Sequence, residues 1–241
     1  MKKTFIVVCL FISLTSAMAQ GKFEIHLGIS IPSGPFAEYN YNNSFFVGSG
    51  SATTGLEVGL KYLHPISPDK RLSLTASIDL IQNGMDQKFK DDFQKTMDNS
   101  LSQYGLKTST KYPNYLNTPV LVGVNYRIPV DEKFSIYADA GLGLNFLSIT
   151  DIVATATEYM GQLKGGSQSS RIEFDSSTKF AAQVGAGFLF TNRYSIGLHY
   201  NQLGSYNITG RNVASNGKTT NINSEKAVDI NQLCLTFGML F

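Results

Sequence analysis

The sequence predicts an all-β fold, an eight-stranded antiparallel up-and-down barrel that spans lipid. Three observations carry that prediction. Apolar and polar residues alternate with period two through eight separate runs. Short and long connections alternate between the runs, and aromatic residues gather at one end of the apolar face.

The chain starts before the first run. Lys2 and Lys3 precede an apolar stretch from Phe5 to Leu14 that is too short to cross a bilayer as a helix, and Ala17-Met18-Ala19 offers the small residues of a signal-peptidase site. Residues 1–19 therefore read as a signal peptide cleaved between Ala19 and Gln20, and residues 20–241 as one barrel domain. Cys9 lies within the apolar stretch rather than at the cleavage site, so it is not a lipid anchor. Losing the leader removes two lysines and no acid, which takes the formal charge from +2 to zero. The remaining chain has no clustered basic face, which excludes a nucleic-acid footprint. It keeps one cysteine, Cys234, and so has no intrachain disulfide.

Each run has one apolar parity. Phe23, Ile25, Leu27, Ile29 and Ile31 oppose Glu24, His26, Gly28 and Ser30. Leu56, Val58, Leu60 and Tyr62 oppose Gly55, Glu57, Gly59 and Lys61, and Leu72, Leu74, Ala76, Ile78 and Leu80 oppose Arg71, Ser73, Thr75, Ser77 and Asp79. The fourth run sets Leu116, Val120, Val122, Val124 and Tyr126 against Asn117, Leu121, Gly123, Asn125 and Arg127. The fifth sets Phe134, Ile136, Leu142, Leu144 and Phe146 against Ser135, Tyr137, Asp139, Gly141, Gly143 and Asn145. The last three carry Phe180, Val184, Phe188 and Phe190, then Tyr194, Ile196, Leu198 and Tyr200, then Leu233, Leu235, Phe237, Met239 and Phe241. Period two gives a strand with one apolar and one polar face.

Alternation alone does not say which face is inside, since a soluble lipocalin-like barrel has the same pattern turned inside out. Three features choose lipid. The connections at 65–69, 129–132 and 191–193 are short, while those at 32–53, 84–114, 148–178 and 204–228 run to about 20 to 30 residues, as expected for periplasmic turns and extracellular loops. Phe23, Tyr62, Tyr126, Phe134, Phe190, Tyr194 and Phe241 share the outward parity beside the short turns or chain ends, which reads as a periplasmic aromatic girdle. The polar face is rich in glycine, which leaves room for longer polar neighbours inside a narrow barrel.

The segment Tyr115-Leu116-Asn117-Thr118-Pro119, followed by VLVGVNYRI, a tight turn and FSIYADAGLGLNFL, resembles the PorT-like outer-membrane β-barrel family of Gram-negative bacteria. The segment NRYSIGLHYNQLGSYNI and the terminal NQLCLTFGMLF are similar to it as well, with Thr118 standing where the family usually has an apolar branched residue. The resemblance implies an outer-membrane location and insertion by the barrel-assembly machinery, which reads a terminal aromatic such as Phe241. It implies no catalytic residues. Its name also suggests a component of protein export.

The inward parity holds Glu24, His26, Glu57, Lys61, Arg71, Asp79, Arg127, Asp139 and His199. Buried charges must be paired, so the expected role is a salt-bridged network that fills the barrel. His26 and His199 lack a clear third ligand, so no metal site is expected. Asn201 stands where a lipid A deacylase would need a nucleophilic serine, and asparagine cannot attack an ester. No enzyme activity or cofactor is expected. In the second long loop, Met85, Phe89, Phe93, Met97 and Leu101 recur every four residues, predicting an amphipathic helix. The loops at 40–51 and 165–170 read as mobile and solvated. The expected function is structural or surface-interacting, with outer-membrane lipid around the barrel and an extracellular protein or glycan meeting the loops. A protein-export component and a soluble lipocalin-like binder are the alternatives.

Overall fold

The computed structural model describes residues 21–40, 48–102, 106–158, 168–224 and 226–241; the proposed leader lies outside the described residues. In chain order the elements are β1 (Lys22–Ser33), β2 (Gly55–Pro65), β3 (Leu72–Asn83), helix α1 (Gln87–Ser102), β4 (Leu106–Lys111), β5 (Tyr115–Pro129) and β6 (Phe134–Ile149). They continue with β7 (Ile152–Glu158), β8 (Gln168–Phe174), β9 (Ser177–Phe190), β10 (Tyr194–Tyr206), β11 (Thr209–Val213), β12 (Thr219–Asn223) and β13 (Val228–Leu240).

Eight of these strands close an antiparallel barrel in the order β1-β13-β10-β9-β6-β5-β3-β2. Closure comes from β1 pairing with β13, with Glu24 opposite Leu240 and Ser33 opposite Asn231. Closure matters because an open sheet edge would leave unpaired amides in hydrocarbon. The predicted short turns are present. In the β9–β10 turn, Thr191 and Asn192 both have positive φ, 52° and 55°, as a tight hairpin needs to match the twist of its strands. Asp131 Oδ1 caps the β5–β6 turn by accepting from the amides of Lys133 and Phe134, both at 2.7 Å.

The apolar parity faces outward. Leu56 is 71% exposed, Val122 66% and Phe237 56%. A soluble protein does not leave an apolar surface of that extent in water. The lipocalin-like alternative, which needs the apolar face inside, is overturned by this arrangement. The aromatic residues of the short-turn end form contacts on the outer wall. Phe23 meets Tyr62 at 5.0 Å between ring centroids and Phe134 meets Phe190 at 5.3 Å, while the Arg193 guanidinium lies 5.7 Å from the Tyr194 ring.

Two features depart from the sequence expectation. First, the long connections are not plain solvated loops. Segments from three of them form a second, five-stranded antiparallel sheet in the order β12-β11-β8-β7-β4. Helix α1 packs on it: Gln94 Nε2 donates to Thr108 O at 2.9 Å, and Thr108 Oγ1 donates to Asp98 Oδ1 at 2.6 Å. Residues 168–170, expected to be mobile, lie in β8, and residues 49–51 are buried, with the Gly50 amide bonded to Pro35 O at 2.9 Å. Residues 41–47 and 165–167 of those two loops lie outside the described residues. Second, the interior is not polar throughout. At the long-loop end, Phe36, Ile81, Met85, Phe89, Tyr115, Leu203, Tyr206 and Ile230 are packed into one buried cluster. A short 3-10 turn at Gly34–Phe36 delivers Phe36 to it, where its ring meets the edge of Tyr115 at 5.0 Å. At the short-turn end, Tyr137, Leu189 and Leu240 form a smaller buried cluster. A polar middle therefore lies between two apolar plugs.

Candidate functional site

The polar middle is the candidate site. Antiparallel register places its charged groups on rungs that run across three adjacent strands. His26 on β1 pairs with Gly59 on β2, and Gly59 pairs with Asp79 on β3. The same order recurs across the barrel, where Asp139 on β6 pairs with Gly185 on β9, and Gly185 with His199 on β10. In both, the central glycine has no side chain, so the two flanking side chains meet over it. A Cβ at Gly59 would run into Asp79 Oδ1 and His26 Nε2, and one at Gly185 into His199 and Asp139. Glu24 and Ser195 meet similarly over Gly238, with Ser195 Oγ donating to Glu24 Oε1 at 2.6 Å.

His26 Nε2 lies 3.0 Å from Asp79 Oδ1 and 3.9 Å from Glu57 Oε1. Lys61 Nζ reaches across the lumen and donates to Asp139 Oδ2 at 3.0 Å, and His199 Nε2 lies 3.4 Å from the same oxygen. All of these groups are buried. Nearer the long loops, neutral amides and hydroxyls continue the filling. Ser30 Oγ donates to Gln232 Oε1 at 2.8 Å, Asn145 Nδ2 to Asn117 Oδ1 at 2.8 Å, and Gln183 Nε2 to Asn201 Oδ1 at 2.8 Å. Asn201 Nδ2 also donates to Cys234 Sγ at 3.3 Å. Around Glu24, Tyr137 and Leu240 the remaining gap is about 10 Å³, room for at most one water.

Seven of the nine charged residues expected inside are buried there: Glu24, His26, Glu57, Lys61, Asp79, Asp139 and His199. Arg71 is not one of the interior set. It precedes the first residue of β3, its side chain is exposed, and its Nε lies 3.4 Å from Asp69 Oδ2 in the turn. A long guanidinium at a strand end reaches water more cheaply than it can be paired inside. Arg127 sits half-buried at the short-turn mouth, with Nη1 donating to Asn192 Oδ1 at 3.3 Å. Of the helix stripe, Met85 precedes α1 and bridges to Ala52, and Phe89 enters the long-loop plug. Phe93 packs edge-on against Tyr112, while Met97 and Leu101 face Thr108, Ala154, Ala156 and Ser170 of the second sheet. The grouping of His26 with Glu57 and Asp79 was not read from the sequence. The short turn after β2 fixes the β2–β3 register, and from that register Gly59 opposite Asp79 could have been deduced.

A closed antiparallel barrel with an apolar outer wall and a filled polar interior is a membrane-spanning β-barrel. The family model for the outer membrane protein beta-barrel domain matches residues 5–232, so the chain belongs to that family and lies in the bacterial outer membrane. No curated protein matches it. Among solved structures it is similar to Ail, the attachment invasion locus protein of Yersinia pestis, at 13% identity over 92% of this chain and 99% of that one, with a TM-score of 0.43. A major outer membrane protein from Thermus thermophilus matches at 12% identity over 92% and 99%, TM-score 0.49. OprG from Pseudomonas aeruginosa matches at 12% over 92% and 96%, TM-score 0.45.

Proposed function

We propose that the protein is a non-enzymatic outer-membrane barrel of the PorT-like kind whose long-loop sheet is its contact surface. The observation that carries this reading is the sheet itself. Three separate loops converge on it, although the barrel ladder closes without them. Its two faces differ. Ile152, Ala154, Ala156, Thr108 and Ser170 share the face that meets α1, and Lys107, Ser109, Lys111, Arg171 and Arg211 share the exposed one. Arg211 Nε bonds Glu173 Oε2 at 2.7 Å, so the charges there are partly matched within the sheet. Such a surface meets an extracellular protein or glycan through hydrogen bonds and charge rather than through apolar contact. The barrel interior serves as filling that holds the wall rigid. A role in carrying proteins outward would need a passage, and both ends of this interior are plugged.

The test is photo-crosslinking on intact cells with a diazirine residue at Ser109, on the exposed face, against one at Thr108, under the helix. Adducts specific to Ser109 support the reading; equal yields at the two positions, or none at Ser109, count against it. The proposal includes export by a leader cleaved after Ala19 and insertion by the barrel-assembly machinery. N-terminal sequencing of the protein from outer membranes checks the cleavage, with Gln20 as the expected first residue.

A further inference from the structure

We propose that His26, Glu57 and Asp79 hold a divalent first-row metal ion, of the class of Zn²⁺, in the middle of the barrel. Three observations on this cluster point the same way. The first is geometric. Each residue offers one ligand atom, and these atoms lie within 4.8 Å of one another. A metal with bonds of about 2.0–2.2 Å holds neighbouring ligand atoms about 3–3.5 Å apart. The distances from His26 Nε2, 3.0 Å to Asp79 Oδ1 and 3.9 Å to Glu57 Oε1, bracket that spacing.

The second is what these atoms lack. Glu57 and Asp79 are 3% and 1% exposed. Glu57 Oε2 nevertheless finds no hydrogen-bond donor, although the Cys234 thiol bonds the same carboxylate, and Asp79 Oδ1 is met only by the His26 ring nitrogen at 3.0 Å. Buried carboxylate oxygens short of donors are costly, and they are the atoms a cation would take up. Gly59 lets the Asp79 and His26 ligand atoms approach each other, since a Cβ there would run into both.

The third is charge. Among the described residues the interior buries four carboxylates, Glu24, Glu57, Asp79 and Asp139, against a single lysine, Lys61. Lys61 is engaged by Asp139, 3.0 Å away. Among the described residues His26 is the basic side chain within 4.0 Å of Glu57 and Asp79, and one imidazolium cannot balance two carboxylates. A dication with a neutral imidazole balances both. An imidazole nitrogen in the set favours the zinc class over Mg²⁺ or Ca²⁺, which take oxygen ligands. Because the plugs seal the finished barrel, the ion would enter while the strands close.

The experiment refolds the mature chain into detergent micelles with ZnCl₂, with CaCl₂, or with neither. Free ion is removed with EDTA and gel filtration, and metal in the folded, heat-modifiable fraction is measured by mass spectrometry. The parent and a His199→Gln control should retain one zinc per barrel and no calcium. Glu57→Gln and Asp79→Asn conserve shape while removing charge, and each should lose stoichiometric zinc. Zinc-edge X-ray absorption of the parent needs no variant, and should read one imidazole with oxygen ligands. Parent barrels that fold with little zinc would overturn the proposal, and would show that a proton neutralises the pair instead. Undiminished zinc in both carboxylate variants, or an absorption spectrum reading sulfur or two imidazoles, would overturn it too.

Discussion

Single residues divide here by the face they occupy. Val122 is two-thirds exposed near the middle of β5 and faces lipid. Replacing it by Arg should cost about 2–4 kcal/mol of barrel stability, measured by urea unfolding in lipid vesicles; a variant as stable as the parent would mean that β5 faces the other way. Lys61 poses the opposite problem. Changing it to Met leaves Asp139 with only His199, and breaking a buried pair from one side costs about 3–5 kcal/mol. Replacing Asp139 by Leu in the same chain should recover most of that loss, because an apolar pair needs no partner charges. A double variant no better than Lys61→Met would show that Asp139 is held by other groups. The outward residues were legible in the sequence because no charge and few polar residues, such as Thr118, interrupt their parity. The inward ones were harder. Leu121, Leu147, Leu189 and Leu240 break the polar pattern from inside, and in sequence they look like noise rather than plugs.

At the scale of elements, α1 was legible and its surroundings were not. Apolar residues at every fourth position announce a helix whatever it packs against. The strands β4, β7, β8, β11 and β12 are short and rich in Thr, Ser and Asn, and the pairings that join them into one sheet, β4 with β7 and β8 with β11, link separate loops, so no local pattern marks the sheet. The helix is not an independent lid. Phe89 is buried in the plug while Gln94 and Asp98 clamp β4. Phe89→Ala should cost about 3–5 kcal/mol of the local stability of the cap, read as faster amide exchange in α1 and β4. The barrel strands should exchange as before; if they quicken equally, cap and barrel unfold together. The clamp also depends on pH. The hydrogen bond from Thr108 holds the Asp98 carboxyl below its ordinary value. Its contribution is therefore present above the unfolded value of about 4 and is lost as pH falls through the lower, folded value. Exchange in β4 should be unchanged between neutral pH and about pH 5 after correction for intrinsic rates, and rise below about pH 4. Thr108→Val should lessen that rise, the Gln94 amide and the residue 108 backbone N–H still holding the carboxylate.

For the whole molecule the consequences are closure and sidedness. A polar middle between two apolar plugs leaves no water path, so planar bilayers containing the pure protein should show no steady conductance steps. Stable porin-like steps would mean that the plugs leave. Sidedness is tested by trypsin on intact cells. Lys107, Lys111, Arg211 and Lys218 lie on exposed strands and a hairpin tip at the long-loop end, whereas Lys70, Arg71, Lys133 and Arg193 lie in the short turns. Cleavage should fall within the first group, with Lys218 the most accessible, and spare the second until the membrane is broken. Cuts at the short turns of unbroken cells would invert the topology.

The ladder that joins Glu24 to Leu240 also sets an order of events in time. The first barrel strand finds its second neighbour only in the last one, so no shorter piece of the chain has a finished edge. Until Val228–Leu240 has emerged and paired, every partial sheet carries two bare margins that invite a neighbouring molecule. Contacts of such long sequence separation form slowly. The chain must therefore cross the periplasm held apart from its own kind, with its final thirteen-residue strand acting as the clasp.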